Sequence, residues 1–141
     1  MKQQQVDASM LYTSDHGEDI FDDGRHLFLH ASPVPSYYQL HVPLLLWTSD
    51  SYREEYPGIE KAASMNRQKN ISSSISFFQT MMELAGIETP YRNDSLSVTS
   101  PLYTEKSRVY LNDHNEPHSL DDIGMRKEDF EMLKKRGIDA Q

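Results

Sequence analysis

The longest apolar run in the chain is VPLLLW, Val42 to Trp47, and Pro43 interrupts it at its second position. A run this short cannot span a bilayer, which takes about 20 apolar residues. It suits a buried strand, with the proline near the beginning, where a missing donor does least harm. A second β-prone run, Met10-Leu11-Tyr12-Thr13, comes earlier in the chain. The polar segment before it reads as the end of a helix. Between and after these runs the sequence alternates between turn-rich and helix-like pieces. One α/β layer arrangement over residues 1–141 fits them better than two domains.

Ile71, Ile75, Phe78 and Met82 recur at helical spacing and predict a helix with those side chains inward. Asn70 or Ser72 is placed to cap its start, and Gly86 to end it in a left-handed turn. Ser49 to Lys69 is polar and rich in turn formers, and reads as an exposed insertion. Val109-Tyr110-Leu111 suggests a late strand. Lys127 to Arg136 suggests a final helix with Phe130 and Leu133 inward and Gly137 as its stop. Gly17 and Gly24, with Asp19, Asp22 and Asp23, mark an irregular loop, and ASPVPS after Leu29 breaks regular structure.

Composition removes several functions. The chain has no cysteine, which excludes thiolate chemistry, disulfides and sulfur-ligated metal. A formal charge of -8 argues against a nucleic-acid binder, which needs a basic face. It leaves open a small anionic substrate held by a metal ion, because a bound cation reverses the local field. The opening MKQQQVDAS has no apolar core, so it is not a signal peptide.

Asp15 and His16 directly follow the first strand-like run. In open α/β sheets, ligands gather beyond the carboxyl ends of the strands. Neighbouring side chains on a strand point to opposite faces, so these two reach one ion only where the backbone bends. Gly17, free to take positive φ, makes that bend inexpensive. One carboxylate oxygen and one imidazole nitrogen suit zinc or manganese better than calcium. Taken alone, Asp-His-Gly is more often a solvated turn, and both readings stand on the residues. Thr13 and Ser14 are the nearest hydroxyls. A residue beside a ligand on the same strand is poorly placed to attack in line across the ion, so neither is the expected nucleophile.

YTSDHGE, then LH, then YYQLHVPLLLW, in that order and spacing, resembles the C-terminal catalytic segment of the alkaline-phosphatase-like superfamily. Within it, the match is to the sulfatase-fold phosphoethanolamine transferases, including those that modify lipid A. The matching residues are Ser14 to Glu18, Phe28 to Ala31, and Gln39 to Pro43 with Trp47. The resemblance implies a partial three-layer α/β/α domain with a central, mostly parallel sheet. It implies metal-dependent transfer of phosphoethanolamine from a phospholipid head group to a lipid A-type or other glycan or lipid acceptor. The metal would be zinc, with manganese or calcium as alternatives. Asp15 and His16 would be its ligands. His30, with His26 as the rival alignment, would hold the phosphate or protonate the leaving oxygen. His41 would orient a ligand or satisfy loop backbone groups, and Glu18 would fix the loop. His114 and His118, with Pro117 between them, read as surface residues. The alternatives are a sulfatase or another phosphatase or phosphodiesterase of the superfamily, or a non-catalytic domain that keeps the fold.

Two departures qualify the match. Phe28 and Ala31 stand where the family has Tyr and Gly, and the loop before His30 is longer by about DDGRH. The family's Thr nucleophile and its further metal ligands lie well upstream of this strand, whereas only fourteen residues precede Asp15. SPVPS also lacks the arginine of a sulfatase nucleophile motif. The expectation is therefore the C-terminal portion of a catalytic domain whose partner is the missing upstream half of the same chain. The parent would be membrane-anchored, with this part soluble on the periplasmic or extracytoplasmic face. An open sheet edge left by such a division would favour self-association.

Overall fold

Both apolar runs become strands in the computed structural model, which describes residues 6–30, 33–111, 114 and 116–138. These are β1 (Ser9–Thr13) and β4 (Leu44–Thr48), paired antiparallel with Met10 opposite Trp47 and Tyr12 opposite Leu45. Between them lie the two-residue strands β2 (Asp19–Ile20) and β3 (Phe28–Leu29) and the short helix α1 (Tyr37–Leu40). After β4 come α2 (Asp50–Glu55), α3 (Pro57–Asn66), α4 (Ser73–Leu84), β5 (Val109–Leu111), β6 (Pro117–Ser119) and α5 (Lys127–Lys135). The helix expected before Met10 falls on residues 1–5, outside the described residues, and residues 6–8 are not helical. The described chain groups into two compact units, one of β1 with Leu44–Lys106, the other of Ser14–Pro43 with the residues from Ser107 onward.

In the first unit, one face of the β1–β4 ribbon carries Met10, Tyr12, Leu45 and Trp47. The two on the expected buried strand are open to solvent, Leu45 at 54% and Trp47 at 52%. β4 is therefore buried on one face only. The expected exposed insertion at Ser49 to Lys69 is instead largely two helices. Ser49 caps α2 by accepting from the Tyr52 N–H, and Pro57 opens α3 at a position where its missing donor costs nothing. Tyr52 is buried, and its hydroxyl donates to the Leu84 carbonyl at 2.7 Å.

Helix α4 forms where predicted, with Ser72 at its N-cap position and Gly86 at φ +63° after its end. Its inward face differs. Phe78 is 53% exposed, and the buried positions are Ser76, Thr80 and Leu84. The reason lies in the buried backbone of residues 97–100. Thr80 Oγ1 accepts from the Val98 N–H at 3.0 Å and donates to the Ser76 carbonyl at 2.8 Å. Asn66 Nδ2 donates to the carbonyls of Val98 and Ser100 at 3.0 and 2.8 Å. Small polar side chains let a peptide segment lie against the helices with its groups satisfied.

The second unit has an apolar cluster of Tyr37, Leu120, Met125 and Leu133, with Phe130 and Met132 packed against it. α5 thus presents Leu133 and Phe130 inward as predicted, and Gly137 follows it at φ +69°. β5 forms where expected. His118, read as a surface residue, lies in β6 opposite Tyr110. Asp129 of α5, 1% exposed, takes Arg25 in a two-pronged ion pair at 2.6 and 2.9 Å and the Tyr37 N–H at 2.9 Å. Asp23 takes the other side of the same guanidinium. Asp129, and Asp23 after it, hold the Arg25 guanidinium above its usual range, and Arg25 in turn holds the Asp23 carboxyl below its own.

All strand pairs among the described residues are antiparallel. The mostly parallel sheet expected from the sequence is absent from these pairings, although the helix-and-strand composition holds. A parallel return needs a crossover element, usually a full helix. Among the described residues, the one helix in the connection from β1 to β4 is the four-residue α1, and β4 runs back along β1.

Replacing Arg25 would leave the Asp129 carboxylate buried without its cation. Arg25→Ala should lower unfolding stability by about 3–5 kcal/mol, read by urea denaturation; a loss within about 1 kcal/mol would mean the pair behaves as a surface contact.

Candidate functional site

The site is built where β1 stops. Ser14 Oγ donates to the His16 carbonyl at 2.7 Å, curling the chain away from the strand direction. The backbone N–H of Gly17 donates to the Gln39 carbonyl at 2.8 Å, laying the loop along α1. Gly17 was expected to serve by taking positive φ, and it does not; the positive-φ glycines are Gly86, Gly124 and Gly137. It serves by lacking a side chain. A Cβ there would stand 2.0 Å from the Tyr38 carbonyl oxygen.

This curl brings four of the sequence-derived residues together. The Asp15 side chain, 89% exposed, has Oδ2 at 3.9 Å from His16 Nε2, and its Oδ1 accepts from the His16 N–H at 3.2 Å. His16 Nδ1 lies 3.1 Å from the Gly17 carbonyl oxygen. A carbonyl only accepts, so Nδ1 donates in that contact, and Nε2 is the ring nitrogen turned toward Asp15. Glu18 Oε1 lies 2.8 Å from His30 Nδ1 and 3.7 Å from His16 Nδ1. The two imidazole rings overlap with centroids 3.8 Å apart.

Two donor sets could take a cation. His16, Glu18 and His30 offer ligand atoms all within 4.8 Å of one another. In that set His16 Nδ1 is committed to Gly17 and Glu18 is hydrogen-bonded to His30. The other set, Asp15 Oδ2 and His16 Nε2, needs no bond broken. Two donors on a tetrahedral zinc stand about 3.4 Å apart, from metal–ligand lengths near 2.1 Å. A small turn of the exposed Asp15 carboxylate closes the 3.9 Å gap, so the residues present fit a divalent ion. The backbone carbonyl on Nδ1 is the support that metal-binding imidazoles commonly have.

His26 and His41 stand outside this group. His26 is an exposed turn residue at φ +54°, its N–H donating to the Asp23 carbonyl at 3.2 Å. His41 caps the end of α1, with Nδ1 at 2.8 Å from the Tyr37 hydroxyl. Burial pulls its imidazole below the ordinary value, and Arg136 and Arg108 add to the effect.

The segment from Glu18 to His30, read as an irregular loop, is a small hairpin in which Asp19 pairs with Leu29 and Ile20 with Phe28. Its strands are too short for an alternation signal. Sequence reading also missed the support beneath it. Asp19, 2% exposed, accepts from Ser36 Oγ at 2.7 Å and from the Gln39 carboxamide. Gln39 sits inside the QLHVP element, but nothing in its spacing points to Asp19.

The Sulfatase family model matches residues 1–87. The phosphoethanolamine transferase EptA of Salmonella typhimurium is 31% identical over 102 residues, covering 70% of this chain and 18% of that protein. The crystal structure of the C-terminal periplasmic domain of EptC from Escherichia coli superposes with a TM-score of 0.68 at 25% identity, covering 82% of this chain and 33% of that one. The zinc complex of the same domain gives a TM-score of 0.59 at 23% identity. The α/β sulfatase-like fold expected from the sequence is thus shared. The chain spans under a fifth of the length of the curated relative described, at 18%.

Two outcomes follow from the geometry. Gly17→Ala should destabilise the chain by about 1–3 kcal/mol and separate the His16 and His30 rings, seen as loss of cross-peaks between their imidazole protons. Gly24→Ala, where nothing lies within 4 Å of the added carbon, is the control and should change neither. His41, depressed on folding, supports the folded state above its unfolded value near 6.5 and withdraws that support as the pH falls through its lower folded value. Stability measured by urea should therefore decline from about pH 6.5 downward, and His41→Asn should flatten part of that decline. An unchanged slope would show the ring titrating as it does in the unfolded chain.

Proposed function

This chain belongs to the sulfatase family, and from that premise we propose that it forms the C-terminal portion of a metal-dependent phosphoethanolamine transferase centre. The observation that carries the reading is the pairing of Asp15 Oδ2 with a His16 Nε2 whose other ring nitrogen is already engaged. The likeness to EptA and to the EptC periplasmic domain supports the class of group transferred.

In this reading Asp15 and His16 hold a divalent cation, zinc by the chemistry of the donor set. Bound there, the cation would lower the pKa of a nucleophilic hydroxyl and offset charge on the phosphoryl oxygens. The hydroxyl and the remaining ligands would come from protein outside these residues, because one carboxylate and one imidazole seldom hold zinc tightly. His30, held through Nδ1 by Glu18, presents Nε2 to the substrate, where it holds a phosphate oxygen or passes a proton to the leaving oxygen. Glu18 orients; it does not ligate. The donor would be a phospholipid carrying an ethanolamine head group, and the acceptor a lipid or glycan hydroxyl or phosphate. No helix of the described residues is long and apolar enough to cross a membrane. We place this portion on the periplasmic face of a membrane-anchored parent, by analogy with the EptC domain.

The test is transfer of phosphoethanolamine from phosphatidylethanolamine to lipid, followed by mass spectrometry in cells expressing the full reading frame that encodes these residues. Asp15→Ala and His16→Ala should each reduce transfer by at least about a hundredfold, whereas His26→Ala should leave it within about twofold, as for an exposed turn residue. Retained transfer in His16→Ala would sink the metal assignment. Sulfate release in place of transfer would favour the sulfatase alternative.

A further inference from the structure

His16 and His30 lie on opposite arms of the hairpin, fourteen positions apart in sequence, yet their rings overlap at 3.8 Å. Glu18 bridges them only at the exposed surface. Nothing in the two histidines themselves fixes how far apart the arms stand. Beneath them, one residue touches both arms. Gln39 takes the Gly17 N–H on its backbone carbonyl at 2.8 Å, next to His16. Its carboxamide Nε2 donates to Asp19 Oδ2 and approaches the Leu29 carbonyl at 3.5 Å, next to His30. Asp19 and Leu29 are themselves partners across the hairpin.

We propose that Gln39 is the positioning residue of this site, its carbonyl fixing the His16 arm and its carboxamide fixing the His30 arm, so that one side chain sets the spacing of the two imidazoles. The proposal rests on the reading of His16 and His30 as site residues, but its geometry can be tested without metal or substrate.

The chemistry of the pocket favours this role over simple packing. Gln39 is buried, and its carboxamide and the Ser36 hydroxyl are the side-chain donors to Asp19 among the described residues. Ser36 Oγ is shared, since it also receives the Gln39 N–H at 3.3 Å and caps α1. Helix α1, Asp19 and the Leu29 end of β3 thus meet at one carboxamide. Leu29 is held at φ +64°, a conformation a branched side chain does not keep without support. A leucine of the same volume would fill the space and keep the backbone contact to Gly17. It would release both Asp19 and the Leu29 carbonyl.

The experiment uses the 141-residue chain. In Gln39→Leu, the cross-peaks between His16 and His30 imidazole protons should disappear, while the far-ultraviolet circular dichroism stays native and the Gly17 amide stays protected from exchange. Should Gln39→Leu fail to fold, Asp19→Asn alone carries the test; it keeps an acceptor for Ser36 but turns an amide donor toward Gln39, and should lose the same cross-peaks. A zinc titration of the folded variant should leave the affinity unchanged, because Asp15, His16 and the Gly17–Gln39 backbone bond are all kept. Cross-peaks that persist in a folded Gln39→Leu or Asp19→Asn chain would overturn the proposal.

Discussion

The backbone of the site loop lies so close to α1 that one added carbon would collide with the Tyr38 carbonyl. Everything chemical in the second unit depends on that approach. It lets the Gly17 N–H reach Gln39 directly after Asp15 and His16. There Asp15 Oδ2 and His16 Nε2 come within 3.9 Å, where an extended strand would send the two side chains to opposite faces. The same turn delivers the Gly17 carbonyl to His16 Nδ1, and so decides which imidazole nitrogen is left for a ligand. A single missing side chain thus sets which ring nitrogen of His16 is left for a ligand.

The approach requires a rigid α1, which a four-residue helix cannot supply from its own hydrogen bonds. Two buried carboxylates supply it. Asp129 grips the Tyr37 N–H from α5, and Asp19 grips the Ser36 hydroxyl and the Gln39 amide from the hairpin. They are satisfied differently. Asp129 has a cation, Arg25, in a fork that matches its two oxygens. Asp19 has neutral donors alone among the contacts described, so its stability depends on keeping each of them. The C-terminal helix, far from the site in sequence, therefore acts on it through the first turn of α1 and through the Arg25 end of the hairpin.

What the sequence disclosed follows from the range of each interaction. β1 and β4 were legible because apolar runs of strand length are local. α5 was legible because Phe130, Leu133 and Gly137 obey helical spacing and a stop. α4 was legible as a helix but not in its inward face, because Ser76 and Thr80 serve a peptide segment that no periodicity announces. α2 and α3 were hidden by their polarity; Ser49 and Pro57 were start signals that composition outweighed. Asp15, His16, Glu18 and His30 came from a motif, and the structure brings all four together. Their supports did not, since Arg25 and Asp129 stand 104 positions apart and Asp19 meets Gln39 only after the hairpin has closed. The antiparallel course of β4 was hidden for a related reason, as the direction of return depends on a connection whose length alone permits either.

The hairpin that carries His30 is held against its own preferences. Phe21, His26 and Leu29 all take positive φ, at 65°, 54° and 64°, and such conformations cost on the order of 1 kcal/mol or more each for residues with a side chain. A relaxed turn would avoid all three. The cost is offset by contacts made only in this shape: the Phe21 and Phe28 rings stack at 5.1 Å, and Arg25 reaches both Asp23 and Asp129. What the strained path achieves is to fold a long connection back on itself, so that His30 returns to Glu18 at 2.8 Å. His26 takes up one of the strained turns, while His30 sits at the end of the arm beside Glu18, so backbone geometry separates the two histidines that the sequence left as rivals.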